Sequence, residues 1–461
     1  MPDRSPDGTH GLRRAFSQHS WRFVLGVTLV ALSAAAFAIA FRSALAFVLR
    51  SLADAPDVVS AMKQAPLAVR LFAPAVGGLL AGLLGLLVAR APAGHGVGDV
   101  MEAVVLGRVQ LSMPVTVLKS IASWLAIAFG GSIGREGPLI QFGGAAGKVV
   151  SDRLALPPER TRVLIAAGTA AGFAAAYNTP FAAVLFVLEV VTGVVVLEAV
   201  VPVLVATVFA SAVTRAVVGE GPIYGQRAFQ LQSPAELLSF ALLGLVIAFG
   251  SQGFMHLLWF GENAFRRSPL RLPWRPAAGG LLAGAVVAFL PEVAGNGYEP
   301  LNALLDGRFP VAFVALLLLG KCFATTCSVS SGSTGGVFTP TLLLGGGIGF
   351  LFANALVPAL PMGPAGGYAL VGMAAAIAAT TRAPLMAAVM VFELSGDYAI
   401  VLPLMLATAV ATLVSRWLGR ESIYTAELRG RGVRWEMTME GRRVVKEGPV
   451  EREPTSSSTP R

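Results

Sequence analysis

Apolar residues in this chain gather into long unbroken blocks, separated by short polar or glycine- and proline-rich stretches. After a polar start, Met1 to Ser20, the first block runs from Phe23 to Phe41 without a charge. Others occupy Leu71 to Ala89, Val163 to Leu188, Leu237 to Gly261 and Ala399 to Ser415. Each is near the length of about 20 residues that carries a helix across a bilayer. No small-residue cleavage site clearly follows the first block, so it predicts a retained helix and not a signal peptide. The longest block, Cys322 to Thr381, holds no Asp, Glu, Lys or Arg over 60 residues. That is too much chain for one span, and its glycines and prolines predict several short pieces. Interrupted helices at membrane depth are tolerated only where their freed backbone groups face protein or a wet cavity, which predicts a transport pathway.

Of 461 residues, 55% are hydrophobic and 13% charged, against about 25% charged in soluble domains. Mean hydropathy is +0.70. Too few charged residues are present to coat a soluble fold of this size. The formal charge is +9, but the basic residues are scattered and cluster mainly at the ends. They read as juxtamembrane charge beside a lipid bilayer, and nucleic acid is not predicted as a partner. The 37 residues after Tyr424 are rich in Arg and Glu. They predict a partly disordered cytoplasmic tail, too short for a regulatory domain. The two cysteines, Cys322 and Cys327, sit in apolar sequence and predict packing, not a disulfide framework. His10, His19, His95 and His256 are dispersed without metal-ligand spacing, and no Walker-type nucleotide loop appears. No enzyme, metal or cofactor is therefore predicted, and transport would run down ion gradients.

The two halves of the chain match each other at a nearly constant spacing. Gly77 to Gly82 returns as Gly279 to Gly284, an offset of 202. Gly94-His95-Gly96-Val97 resembles Gly295-Asn296-Gly297-Tyr298 at 201, and Gly134 to Pro138 aligns with Gly336 to Pro340 at 202. Gly168 through Pro180 to Glu189 then aligns with Gly372 through Pro384 to Glu393 at 204. Four blocks in one order predict a duplication. Repeats interrupted by Gly and Pro at corresponding positions point to a site between the halves near the midplane. Hydropathy leaves open whether the repeats are parallel or inverted.

Three of the blocks are Gly-rich turns entering helix-forming sequence. Such a turn leaves the first N–H groups of the helix unpaired at the positive end of its dipole. Several of these ends aimed at one spot hold an anion without a full positive charge, so the ion can leave as well as enter. The same glycines would also serve close helix packing. Glu136, at a predicted helix start, can occupy such a site with its own carboxylate and vacate it on protonation. An Arg135–Glu136 ion pair is the competing reading.

Gly134-Arg135-Glu136-Gly137-Pro138 is a GREGP motif, and Gly335-Gly336-Val337-Phe338-Thr339-Pro340 a GxFxP element. On these the chain resembles the CLC family of chloride channels and chloride/proton exchangers, over about residues 20 to 430, in a short form without C-terminal CBS domains. The resemblance implies an all-α polytopic membrane protein of two inverted-topology repeats with many tilted and broken helices. Residues 1–20 would form a cytoplasmic segment, 21–220 and 221–424 the repeats, and 425–461 the tail. It further implies a homodimer in the cell membrane, a pore in each protomer, both termini cytoplasmic, and chloride or another small anion as the ion carried. Glu136 is the implied gate. His95, Gly96, Val97, Gly134, Arg135, Gly137, Gly336, Val337, Phe338 and Thr339 are the implied anion-binding positions, with the hydroxyl of Tyr424. Tyr424 would equally suit an aromatic anchored at the bilayer surface.

Two departures from the family pattern bear on mechanism. Where the family usually has GSGIP, this chain has Gly94-His95-Gly96-Val97-Gly98. An imidazole there would donate a hydrogen bond to chloride and make conduction pH-dependent, or merely shape the wall. In well-studied exchangers two acids end the helix carrying Phe-Val-Leu-Glu, but here Glu189 is followed by Val190, which cannot carry a proton. That tilts the reading to a channel with voltage- or pH-modulated conduction. Glu189 and Glu393 read as structural acids pairing with helix ends or Arg382, with Glu189 retained beside Glu136 as a proton-pathway candidate. A chloride/proton antiporter with another proton route is the alternative, and a non-conducting anion-binding sensor is a second, from a different class.

Overall fold

A computed structural model describes residues 19–88, 96–106, 111–194, 197–219, 221, 223–225, 229, 231, 233–356, 363–419, 421–430, 433–438 and 441–447. Most of them are helical, and among them seven helices are long and apolar enough to cross a bilayer. The first runs His19–Ala53, well past Phe41, because Arg42 interrupts the hydropathy without opposing helix formation. The charge-free stretch after Lys321 is divided among Val311–Ser330, Phe338–Leu356 and Ala365–Thr381. A left-handed turn at Gly332 (φ 96°) separates the first two, and Pro364 precedes the third. Cys322 and Cys327 are both free and lie on one helix.

The helices Pro158–Tyr177 and Ala365–Thr381 are buried on almost every side and form the centre of each half. Ala and Gly dominate both, which allows neighbours to approach backbone to backbone. Each ends on a left-handed non-glycine residue, Asn178 (φ 57°) and Arg382 (φ 65°). Each is followed by a helix opening on proline, Pro180–Leu185 and Pro384–Ser395. Proline suits that position because its missing N–H would be unpaired in any case. The first of the two continues as a π-helix, Phe186–Thr192, whereas its counterpart stays α-helical to Ser395.

The two halves touch reciprocally. A Cβ on Gly78 would lie 2.7 Å from the carbonyl carbon of Pro276, and one on Gly280 would lie 2.6 Å from that of Pro74. Gly134 donates to the Gly336 carbonyl at 2.7 Å while Gly336 donates to the Gly134 carbonyl at 2.9 Å. Contacts in which each partner returns the other's interaction are those of a two-fold axis. The equivalent residues, Gly78 and Gly280, Pro74 and Pro276, and Gly134 and Gly336, are each 202 residues apart, the spacing seen in the sequence, so duplication and symmetry describe the same feature. Within each half the pattern recurs: Gly143 meets Gly168, and Gly345 meets Gly372, backbone against backbone. Large apolar side chains such as Phe47, Phe289, Leu319 and Trp417 cover the outside, as a lipid-facing surface requires.

Past the last helix, Ile423–Gly430, the strands Val433–Thr438 and Gly441–Glu447 pair antiparallel, with an irregularity between Arg434 and Trp435.

Candidate anion site between the two repeats

Glu136 is the first residue of the helix Glu136–Arg153, and Phe338 is the first of Phe338–Leu356. The antiparallel Gly134–Gly336 bridge lies just before both and so brings two helix N-termini to one point. The Glu136 carboxylate then reaches across to the other repeat. Its Oε1 accepts the N–H of Phe338 at 2.8 Å and that of Thr339 at 3.4 Å, and its Oε2 accepts the Thr339 hydroxyl at 3.1 Å. Glu136 is only 2% exposed, so these donors and the helix ends replace water around the charge. Thr339 gives its single proton to the carboxylate. Tyr177, whose hydroxyl is 3.0 Å from that of Thr339, is therefore the donor in the next bond of the chain.

Glycine is required around this carboxylate by space. A Cβ on Gly134 or Gly336 would lie on the Glu136 carboxyl group itself, and one on Gly96 would be 2.9 Å from the carbonyl oxygen of Gly137. Gly96, Gly134, Gly137 and Gly336 are thus brought close to one another. Val97 is buried at the start of the short helix Val97–Met101, and the Val337 carbonyl accepts the Thr341 N–H at 3.0 Å as the second-repeat helix begins. His95 lies outside the described residues.

Tyr424 is buried, not lodged at an exposed bilayer surface. Its ring meets Phe186 edge-on at 6.4 Å, Phe186 stacks on Phe173 at 4.7 Å, and Phe173 meets Phe338 edge-on at 5.7 Å. Tyr424 therefore connects to the Glu136 site through two aromatic rings.

Arg135 does not pair with Glu136; its guanidinium lies over the Tyr298 ring, 5.0 Å from the centroid. Glu189 lies apart from this cluster, its carboxylate bonded to the first N–H groups of the Pro384–Ser395 helix. Val190 beside it is wholly buried. Arg382 donates to the carbonyls of Ser415, Gly419 and Glu421 and pairs with neither Glu189 nor Glu393.

Residues unmarked by sequence reasoning complete the site. Tyr177, Tyr224 and Tyr298 line it, with Tyr298 ring centroids 6.5 Å from Tyr177 and 5.8 Å from Tyr224. Buried Lys321 donates to the carbonyls of Val293 and Gly295 at 3.0 and 2.8 Å and so anchors the turn that delivers Tyr298. Arg42 and Lys321 did carry a signal, since each is a lone cation bordering a long apolar block, and such residues are rarely idle. The tyrosines carried none.

Chemically, the cluster offers N–H and O–H donors from both repeats to one negative group. The Glu136 carboxylate fills them in this structure.

Comparison with known proteins gives one answer. The family model described as voltage gated chloride channel matches residues 77–416. A ClcB-like protein of Ralstonia nicotianae is 38% identical over 408 residues, covering 87% of this chain and 95% of the relative. The voltage-gated ClC-type chloride channel ClcB of Escherichia coli is 35% identical over 363 residues, covering 77% and 86%. Among solved structures, a slow cyanobacterial chloride/proton antiporter superposes with TM-score 0.79 at 25% identity, over 89% of this chain and 98% of the other. A CLC-type fluoride/proton antiporter superposes with TM-score 0.74 at 23% identity, over 89% and 98%, a likeness of fold.

Proposed function

The chain belongs to the voltage-gated chloride channel family, and from that we propose that it conducts chloride without proton coupling, with Glu136 as its gate. Its fold is the family's pair of inverted repeats in a membrane, and it is a transport protein, not an enzyme. The observation that carries the proposal is the seating of the Glu136 carboxylate on the Phe338 and Thr339 N–H groups. These are donors from one repeat filled by a side chain of the other, so leaving them opens an anion site at the two-fold contact. Chloride is the ion named for the ClcB relatives. Gly96 and Val97, and Val337 with Tyr424, extend the line of anion contacts from this point.

Val190 supports uncoupled conduction. It is wholly buried and apolar, and the neighbouring Glu189 carboxylate is committed to a helix N-terminus. A proton arriving at Glu136 has no acid at position 190 to pass through. Proton-coupled exchange is the second reading, favoured by the likeness to the cyanobacterial antiporter. The protein would function as a homodimer in the cell membrane with both termini cytoplasmic.

Purified protein in liposomes, with the potential clamped by a potassium ionophore, separates these readings. Chloride flux without proton movement is expected. Uphill proton transport driven by a chloride gradient would make the protein an exchanger, and absence of any anion flux at every pH would make it an anion-binding sensor.

A further inference from the structure

Arg42 and Arg135 pose a physical problem beside the gate. Arg42 projects from the middle of a membrane helix and is half-buried, and it lies within electrostatic reach of both Arg135 and Tyr298. Neither arginine forms an ion pair among the described residues. Among the described residues the Nε of Arg135 and the hydroxyl of Tyr224 are buried without any hydrogen-bond partner. Tyr224 is 1% exposed, its ring is 5.8 Å from that of Tyr298, and Tyr298 in turn lies beneath the Arg135 guanidinium. Two carboxylates are also within reach of this cluster, Glu136 and Glu299. Glu136 is occupied by the Phe338 and Thr339 donors.

Two half-buried like charges within reach of each other repel, and unpaired buried donors are rare in folded proteins. One negative group among them removes all three defects together. We propose that Arg42, Arg135 and the Tyr224 hydroxyl, walled by the Tyr298 ring, form a second binding site for a small monovalent inorganic anion, separate from the donors that hold Glu136. An anion here raises the local supply next to the gate and is placed to replace the Glu136 carboxylate as it leaves. That consequence for transport rests on the gate reading, whereas the binding site itself does not.

The test is a chloride and bromide titration of the unfolding temperature of the purified protein in detergent, with gluconate as the background anion. The half-saturating chloride concentration for liposome flux is measured alongside. Wild type, Tyr224→Phe and Arg42→Gln are compared. Halide should raise the unfolding temperature of the wild type by binding the folded state, and both variants should shift the midpoint of that rise about tenfold higher. Flux half-saturation should move with it. Unshifted midpoints in both variants would overturn the site. Should Arg42→Gln fail to fold, Tyr224→Phe decides alone, because deleting one unpartnered hydroxyl leaves the packing of the ring intact. Halide stabilisation that depends on Tyr224 in a wild type without flux would leave the site standing and remove the gate. Ordinary flux with unshifted midpoints would do the reverse.

Discussion

Glu189 and Glu393 each close the first turn of a helix in the opposite repeat. Glu189 accepts the N–H groups of Leu385 and Met386 at 3.3 and 2.7 Å, and Glu393 accepts those of Phe181 and Ala182 at 3.1 and 2.8 Å. Every partner in one set is 204 residues from its counterpart in the other. Each carboxylate meets free N–H donors and the positive end of a dipole, so the two acids clamp the halves together across the two-fold axis.

Replacing either acid by alanine should therefore lower stability by about 1–2 kcal/mol, as loss of a helix cap does. The two variants should fall by similar amounts when unfolding is followed thermally in detergent. A stable Glu189→Ala protein that has lost proton movement would instead mark Glu189 as a proton carrier.

At Glu136, substitution by Gln removes the charge that competes with chloride for the Phe338 and Thr339 donors. Flux in the wild type should rise as pH falls, because protonation has the same effect on the carboxylate. In Glu136→Gln and Glu136→Ala it should be high and independent of pH. A wild-type pH profile surviving in Glu136→Ala would assign the gate elsewhere.

Among the described residues Thr339 supplies the only side-chain bond to that carboxylate, braced by Tyr177. Loss of one hydrogen bond to a charged group is worth about 1.5–3 kcal/mol. Thr339→Ala should accordingly raise flux at neutral pH by about tenfold or more, and Tyr177→Phe by less, since it acts through Thr339. Equal effects from the two, or a fall in flux, would contradict this chain of bonds.

Gly336 tests the gate without altering Glu136. A Cβ there lies on the carboxyl group, which is the free end of a flexible side chain. Gly336→Ala should fold and conduct like Glu136→Ala. Gly78→Ala offers the contrast, because its Cβ would strike the backbone of Pro276, which cannot move aside. Poor yield or a much lower unfolding temperature is expected there, with normal gating in any protein that folds.

By itself the sequence determined the membrane class, the duplication and the helix-start position of Glu136. These are legible because they depend on local rules: apolar length, the backbone freedom of glycine, and the dipole at a helix N-terminus. Only the tertiary structure decided that Arg135 turns to Tyr298 and not to Glu136, since adjacent side chains on a helix face different ways. It also paired Glu189 and Glu393 with backbone N–H groups of the opposite repeat, whereas the sequence allowed helix ends or Arg382 equally. Tyr177, Tyr224 and Tyr298 converge from elements distant along the chain, and nothing in their own neighbourhoods announces it. Their meeting depends on how two repeats pack about a shared axis, a relation set by contacts between glycine backbones that hydropathy does not register.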